Sequence, residues 1–107
     1  YDLYENEEVK RYGQYVSLEE LWREADVITM HTPLTEENFH LVNEKTLSQM
    51  KDGVVIVNTA RGALIDSEAL IAGIENGKIG AAALDVVENE FGLYYHEKES
   101  LGGLLIA

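Results

Sequence analysis

Chemistry-bearing residues in this chain cluster where apolar runs end. Arg61 and Gly62 follow residues 53–58 (GVVIVN) by way of Thr59 and Ala60. His31, Thr32 and Pro33 close residues 26–31 (DVITMH) and the turn beyond. Asp85 falls near the end of residues 80–86 (GAAALDV), ahead of Glu88, Asn89 and Glu90. An arginine placed just after a buried strand has no helix face to decorate. Its planar fork can hold a carboxylate through two parallel hydrogen bonds, or it can form a salt bridge with a local acid such as Asp66. Asp85 can accept from an amide or hydroxyl of a ligand, or serve as an ordinary strand-end aspartate. Glu88 and Glu90 are either a solvated acidic pair or a source of one carboxylate for proton transfer, which would need a partner. Of the three histidines, His31 falls at a strand end and His40 and His96 in loops; no metal-ligand spacing links them, so no metal site is expected.

The elements that must position these groups are legible from periodicity. The runs 26–31, 53–58 and 80–86 are near-continuously apolar, the pattern of strands covered on both faces. Helices belong between them. Ser17 followed by Glu20 is a capping-box pattern ahead of Leu18, Leu21 and Trp22. Asn43 is the expected N-cap for residues 44–50, with Leu47 and Met50 on one side. Asp66 should cap the next helix, with Leu70, Ile71 and Ile74 facing inward and Gly77 as the left-handed residue at its end. Strand and helix in alternation predict an α/β, doubly wound parallel sheet with right-handed crossovers. In such sheets a ligand lies beyond the carboxyl ends of the strands, the edge where the polar residues above gather. Residues 91–107 read as a loop or frayed tail, with the apolar residues 104–107 expected to find their partner beyond the chain end.

Composition narrows the field. The 107 residues make one domain at most, and 46% hydrophobic residues suffice for a core. A formal charge of −12 repels polyanions, so neither nucleic acid nor an anionic membrane is an expected partner. The absence of cysteine excludes disulfides and thiolate zinc sites. No apolar run approaches the roughly 18 residues of a membrane-spanning helix. No glycine-rich phosphate turn occurs either, so a dinucleotide fold would have its first strand upstream of Tyr1. Asp2 fits that arrangement, as the acidic residue that ends a second strand and holds a ribose hydroxyl.

Three stretches in order and at matching spacing resemble the signature regions of the D-isomer-specific 2-hydroxyacid dehydrogenases: residues 31–35 (HTPLT), 50–62 (MKDGVVIVNTARG) and 83–90 (ALDVVENE). Residues 85–90 and the tyrosine-rich insertion after them are most similar to the D-lactate dehydrogenase branch, which includes vancomycin-resistance enzymes. Phe91 stands where most members carry proline. The resemblance implies a partial Rossmann-like NAD-binding domain over residues 1–90, lacking its first strand and glycine loop. It implies NAD as cofactor, a 2-oxo or 2-hydroxy acid as substrate, a homodimer and a cytoplasmic setting. Asp2 then looks like the acceptor for the adenosine ribose hydroxyls that selects NAD over NADP. Thr32 and Pro33 look like a wall against the adenosine half, Thr59, Ala60 and Arg61 like the loop under the nicotinamide ribose, and Asp85 like the carboxamide acceptor. Arg61 also resembles the catalytic arginine that clamps the substrate carboxylate. Glu90 resembles the glutamate that pairs with a catalytic histidine and raises its pKa. That histidine is expected beyond Ala107, and residues 1–107 alone are expected to be inactive. Two other readings share the fold: a non-enzymatic NADH-sensing module, and a structural unit without ligand.

Overall fold

The computed structural model describes residues 1–86 and 104–106. Residues 1–16 run along the surface, with one 3-10 turn at Val9–Arg11. Helix α1 (Leu18–Glu24) starts at Ser17, whose hydroxyl accepts from Glu20 N–H at 3.2 Å. Helix α2 (Glu44–Gln49) has a reciprocal box of its own: Asn43 Oδ1 accepts from Thr46 N–H, and Thr46 Oγ1 accepts from Asn43 N–H. Helix α3 (Ser67–Glu75) begins on Asp66, whose carboxylate takes two N–H groups, those of Glu68 and Ala69. Gly77 follows at φ +83°, a left-handed turn that glycine adopts without steric cost.

Strands β1 (Val27–Met30), β2 (Val54–Asn58), β3 (Ile79–Leu84) and β4 (Leu104–Ile106) form one parallel sheet in the order β1-β2-β3-β4. The expected parallel α/β architecture is therefore present. Two expectations are corrected. Residues 104–106, read as part of a loop or frayed tail with an outside partner, pair with Ala82–Leu84 instead. The open edge of β3 supplies the hydrogen bonds that this run needs. Among the described residues, helices cover one face of the sheet, not both as expected. Burial alternates along each one, and the inward residues Ile28, Met30, Val54, Ile56, Ala82 and Leu84 join Trp22, Leu47, Met50 and Leu70 from the three helices in one core. On the other face Val27 is 57% exposed, and Val55, Val57, Ala81 and Ala83 are half-buried. Strand order explains this: each step from β1 to β3 moves in the same direction, so right-handed crossovers stack the described helices on one side.

The ladder register sets the functional edge. Met30 pairs with Asn58, Asn58 with Leu84 and Leu84 with Ile106. The carboxyl ends of the strands thus finish on a common line, and the residues just past them, His31, Thr59 and Asp85, start level. That line depends on an irregularity at the opposite end, where the β2–β3 register shifts between Val54 and Val55 and leaves Gly80 as the extra residue. A Cβ on Gly80 would lie 2.6 Å from the backbone oxygen of Gly53. Backbone cannot swing aside as a side-chain tip can. Gly80→Ala is expected to cost about 1–3 kcal/mol and to lower the urea midpoint of unfolding; an unchanged midpoint would show that the two strands do not need this approach.

Candidate functional site at the carboxyl edge of the sheet

Asn58 organises the edge. It is the last residue of β2, 0% exposed, and the only polar residue in the described core. Its Oδ1 accepts from Ala60 N–H at 3.0 Å, and its Nδ2 donates to the backbone oxygen of Arg61 at 2.8 Å. Its own backbone oxygen accepts from Asp85 N–H at 3.0 Å. One side chain thus folds residues 59–61 back over the end of β2, and one carbonyl pins Asp85 beside it. Both polar atoms of a buried amide are satisfied, which removes a penalty of about 1–3 kcal/mol each.

The far side of the Arg61 loop is fastened as well. His40 N–H donates to the oxygen of Ala63, Val42 N–H to that of Leu64, and Asp66 N–H back to that of Val42. Val42, Leu64 and Ile65 are at most 2% exposed, so these bonds are shielded from water. Arg61 lies between two anchored points, in extended backbone (φ −142°, ψ 136°), with an exposed side chain. The alternative of a salt bridge to Asp66 is not realised. Asp66 is engaged in capping α3 and faces His40 Nδ1 at 3.9 Å, and among the described residues Arg61 has no ion-pair partner. A guanidinium held by its backbone and free at its tip is suited to receive an external carboxylate.

The structure places the other candidates as follows. Thr32 is half-buried and Pro33 exposed at the end of β1, and Asn38 braces them, its Nδ2 donating to the Pro33 oxygen at 2.6 Å. Asn38 and Thr35 bond each other reciprocally, Thr35 N–H to Asn38 Oδ1 and Asn38 N–H to Thr35 Oγ1. Thr59 and Asp85 are exposed, each just past the end of one of two neighbouring strands. Asp2 is exposed and lies in no strand; its carboxylate accepts from Tyr4 N–H in a local turn. Glu90 lies outside the described residues, as does Glu88. Arg61, Thr59, Ala60 and Asp85 are therefore brought together around Asn58, Thr32 and Pro33 follow the end of the next strand, and no described bond joins Asp2 to them.

Two residues of this edge, Asn58 and Asn38, were missed among the sequence candidates. For Asn58 the signal was available: a polar residue closing a run of four apolar ones, two positions before an alanine and three before an arginine. For Asn38 the Thr35-to-Asn38 spacing of three resembles a capping pair with no helix behind it, and nothing marked it as support for Pro33.

The donor set can be weighed against a nicotinamide dinucleotide on these observations. Hydroxyls at Thr32 and Thr59, a carboxylate at Asp85 and a guanidinium at Arg61 stand along one rim. They suit ribose hydroxyls, a carboxamide and an anionic group. The residues fit the nicotinamide-side half of such a ligand, whereas no glycine-rich turn for its phosphates occurs among the 107 residues.

Residues 1–101 match the family described as D-isomer specific 2-hydroxyacid dehydrogenase, NAD binding domain. An aromatic 2-oxoacid reductase of Clostridium sporogenes is 54% identical over 98 residues, covering 92% of this chain and 30% of the reductase. A D-lactate dehydrogenase of Escherichia coli is 54% identical over 87 residues, covering 81% of this chain and 26% of that protein. Among solved structures, a D-lactate dehydrogenase of Treponema pallidum superposes with a TM-score of 0.90 at 40% identity, over 99% of this chain and 36% of that one. An NAD-complexed enzyme of Lactobacillus delbrueckii ssp. bulgaricus gives 0.88 at 29% identity, over 100% and 37%. The chain spans about 30% of the length of the curated relatives it matches. With residues 1–101 matched in register, this chain belongs to the D-isomer-specific 2-hydroxyacid dehydrogenase family, in its NAD-binding domain.

Proposed function

We propose that the full-length protein reduces a 2-oxo acid such as pyruvate to the D-2-hydroxy acid, using NADH. One observation carries this reading: the Arg61 guanidinium is exposed and unpaired among the described residues, on a loop tied to the same residue as Asp85. When bound, the reduced nicotinamide supplies the hydride. Arg61 holds the substrate carboxylate through its fork and draws charge from the neighbouring carbonyl. Asp85 accepts from the carboxamide and so orients the ring, with Thr59 and Ala60 beneath the ribose. Thr32 and Pro33 flank the adenosine half, and Asp2 accepts from its ribose. Glu90 pairs with a histidine contributed by the rest of the protein, which protonates the forming hydroxyl. The domain division near residue 90 belongs to the same proposal.

The relatives support catalysis over the sensing alternative. Those matched here carry the names of dehydrogenases and reductases, acting on lactate, glycerate or aromatic 2-oxo acids. On this reading the protein works as a dimer in the cytoplasm, away from nucleic acid and membranes, in keeping with a charge of −12 that repels polyanions. No helix among the described residues is long and apolar enough to cross a membrane.

Three outcomes are expected. Full-length protein should consume NADH in the presence of a small 2-oxo acid, and residues 1–107 alone should not; turnover by the short chain would contradict the division of the site. Arg61→Lys should raise KM and lower kcat, with kcat/KM down about 10- to 100-fold, the equivalent of one charge-assisted hydrogen bond; unaltered kinetics would remove Arg61 from the mechanism. Asp2→Ser should raise kcat/KM with NADPH relative to NADH, because a 2′-phosphate would no longer meet a carboxylate. An unchanged cofactor ratio would show that Asp2 does not face the ribose.

A further inference from the structure

We infer that Asn58 is a positioning residue for the reduction, one that sets the spacing between the substrate clamp and the cofactor acceptor; the inference rests on the function proposed above. Arg61 and Asp85 belong to different strand ends, and each must be held to within a fraction of an ångström for a reacting carbonyl to meet the nicotinamide. Asn58 is bonded to both. Its amide nitrogen donates to the Arg61 carbonyl at 2.8 Å, and its main-chain oxygen accepts from Asp85 N–H at 3.0 Å. The third bond, from Ala60 N–H to Oδ1 at 3.0 Å, closes the loop between them.

Chemistry at this position calls for an amide. The Ala60 group is a donor and the Arg61 group an acceptor, so one side chain must accept with one atom and donate with the other. A carboxylate would turn an acceptor toward the Arg61 carbonyl. A leucine of similar size would fill the space and make neither bond. A serine has a single oxygen on a shorter stem and cannot reach both. The main-chain bond to Asp85 survives all of these changes, so they should act on the loop of residues 59–61 and spare Asp85. That asymmetry distinguishes positioning from general support of the fold: kcat/KM for the 2-oxo acid, which depends on Arg61, should fall by a larger factor than the affinity for NADH, which keeps Asp85.

The test uses the full-length protein and its Asn58→Leu variant, with Arg61→Ala made in both backgrounds. Asn58→Leu is expected to lower the unfolding midpoint while staying folded at the assay temperature, and to weaken NADH binding by about threefold at most, while kcat/KM for the 2-oxo acid falls about tenfold to a hundredfold. Arg61→Ala should then cost much less in the Asn58→Leu background than in the parent, because the clamp is already misplaced. Normal kinetics in Asn58→Leu, multiplicative losses in the double variant, or an equal loss of NADH affinity would each overturn the inference. Should Asn58→Leu fail to fold, Asn58→Ser carries the same comparison with the same expected pattern. A parent protein that reduces no 2-oxo acid would overturn the proposed function and this inference together, whereas an active parent with an indifferent Asn58 overturns this inference alone.

Discussion

A single buried amide governs the geometry of this molecule's polar edge. Parallel strands deliver their carboxyl ends to one line, but a line of strand ends is not yet a site: the chain must turn there without burying unpaired groups and without splaying. Asn58 meets both demands. Its side chain satisfies an N–H and a C=O that the turn of residues 59–61 would otherwise leave open, and its carbonyl continues the ladder one step further to Asp85. A polar group this deep is tolerable only when fully partnered. Among the described residues no buried side-chain nitrogen or oxygen lacks a partner.

The same economy runs through the rest of the loop. Once past Arg61 the chain meets the 40–42 segment and forms a short parallel bridge, with Val42, Leu64 and Ile65 sealing it. Asp66 then ends that segment and starts α3 with one carboxylate. Fixing both flanks leaves Arg61 little backbone freedom, while its side chain projects into solvent. The entropy of ordering the loop is met during folding, so a ligand has only the guanidinium itself to immobilise.

Much of this was legible in the sequence, for identifiable reasons. Strand cores and helix caps were, because apolar continuity, Ser17, Asn43, Asp66 and Gly77 are local signals. The face that the described helices cover was not: Val55 and Val57 are as apolar as Ile56, and only the spatial order of the strands decides it. The strand at Leu104–Ile106 was missed because its partner lies some twenty positions back, across three glycines. Arg61 and Asp85 were singled out by residue type and position, and both are bonded to Asn58. Asn58 was passed over because it reads as the last letter of an apolar run. Its importance lies in bonds to residues two, three and twenty-seven positions away, which no periodicity encodes. Asp2 shows the converse, a residue chosen by its place in a motif whose described bond is only to Tyr4.

The most direct test is a crystal structure of the full-length protein with NADH and an unreactive 2-oxo acid analogue bound. The account predicts the analogue's carboxylate on the Arg61 fork at about 3 Å, the carboxamide beside Asp85, and the Asn58 bonds to Ala60 and Arg61 intact. A carboxylate held by other residues, or an Arg61 loop released from Asn58 when the ligands bind, would contradict it.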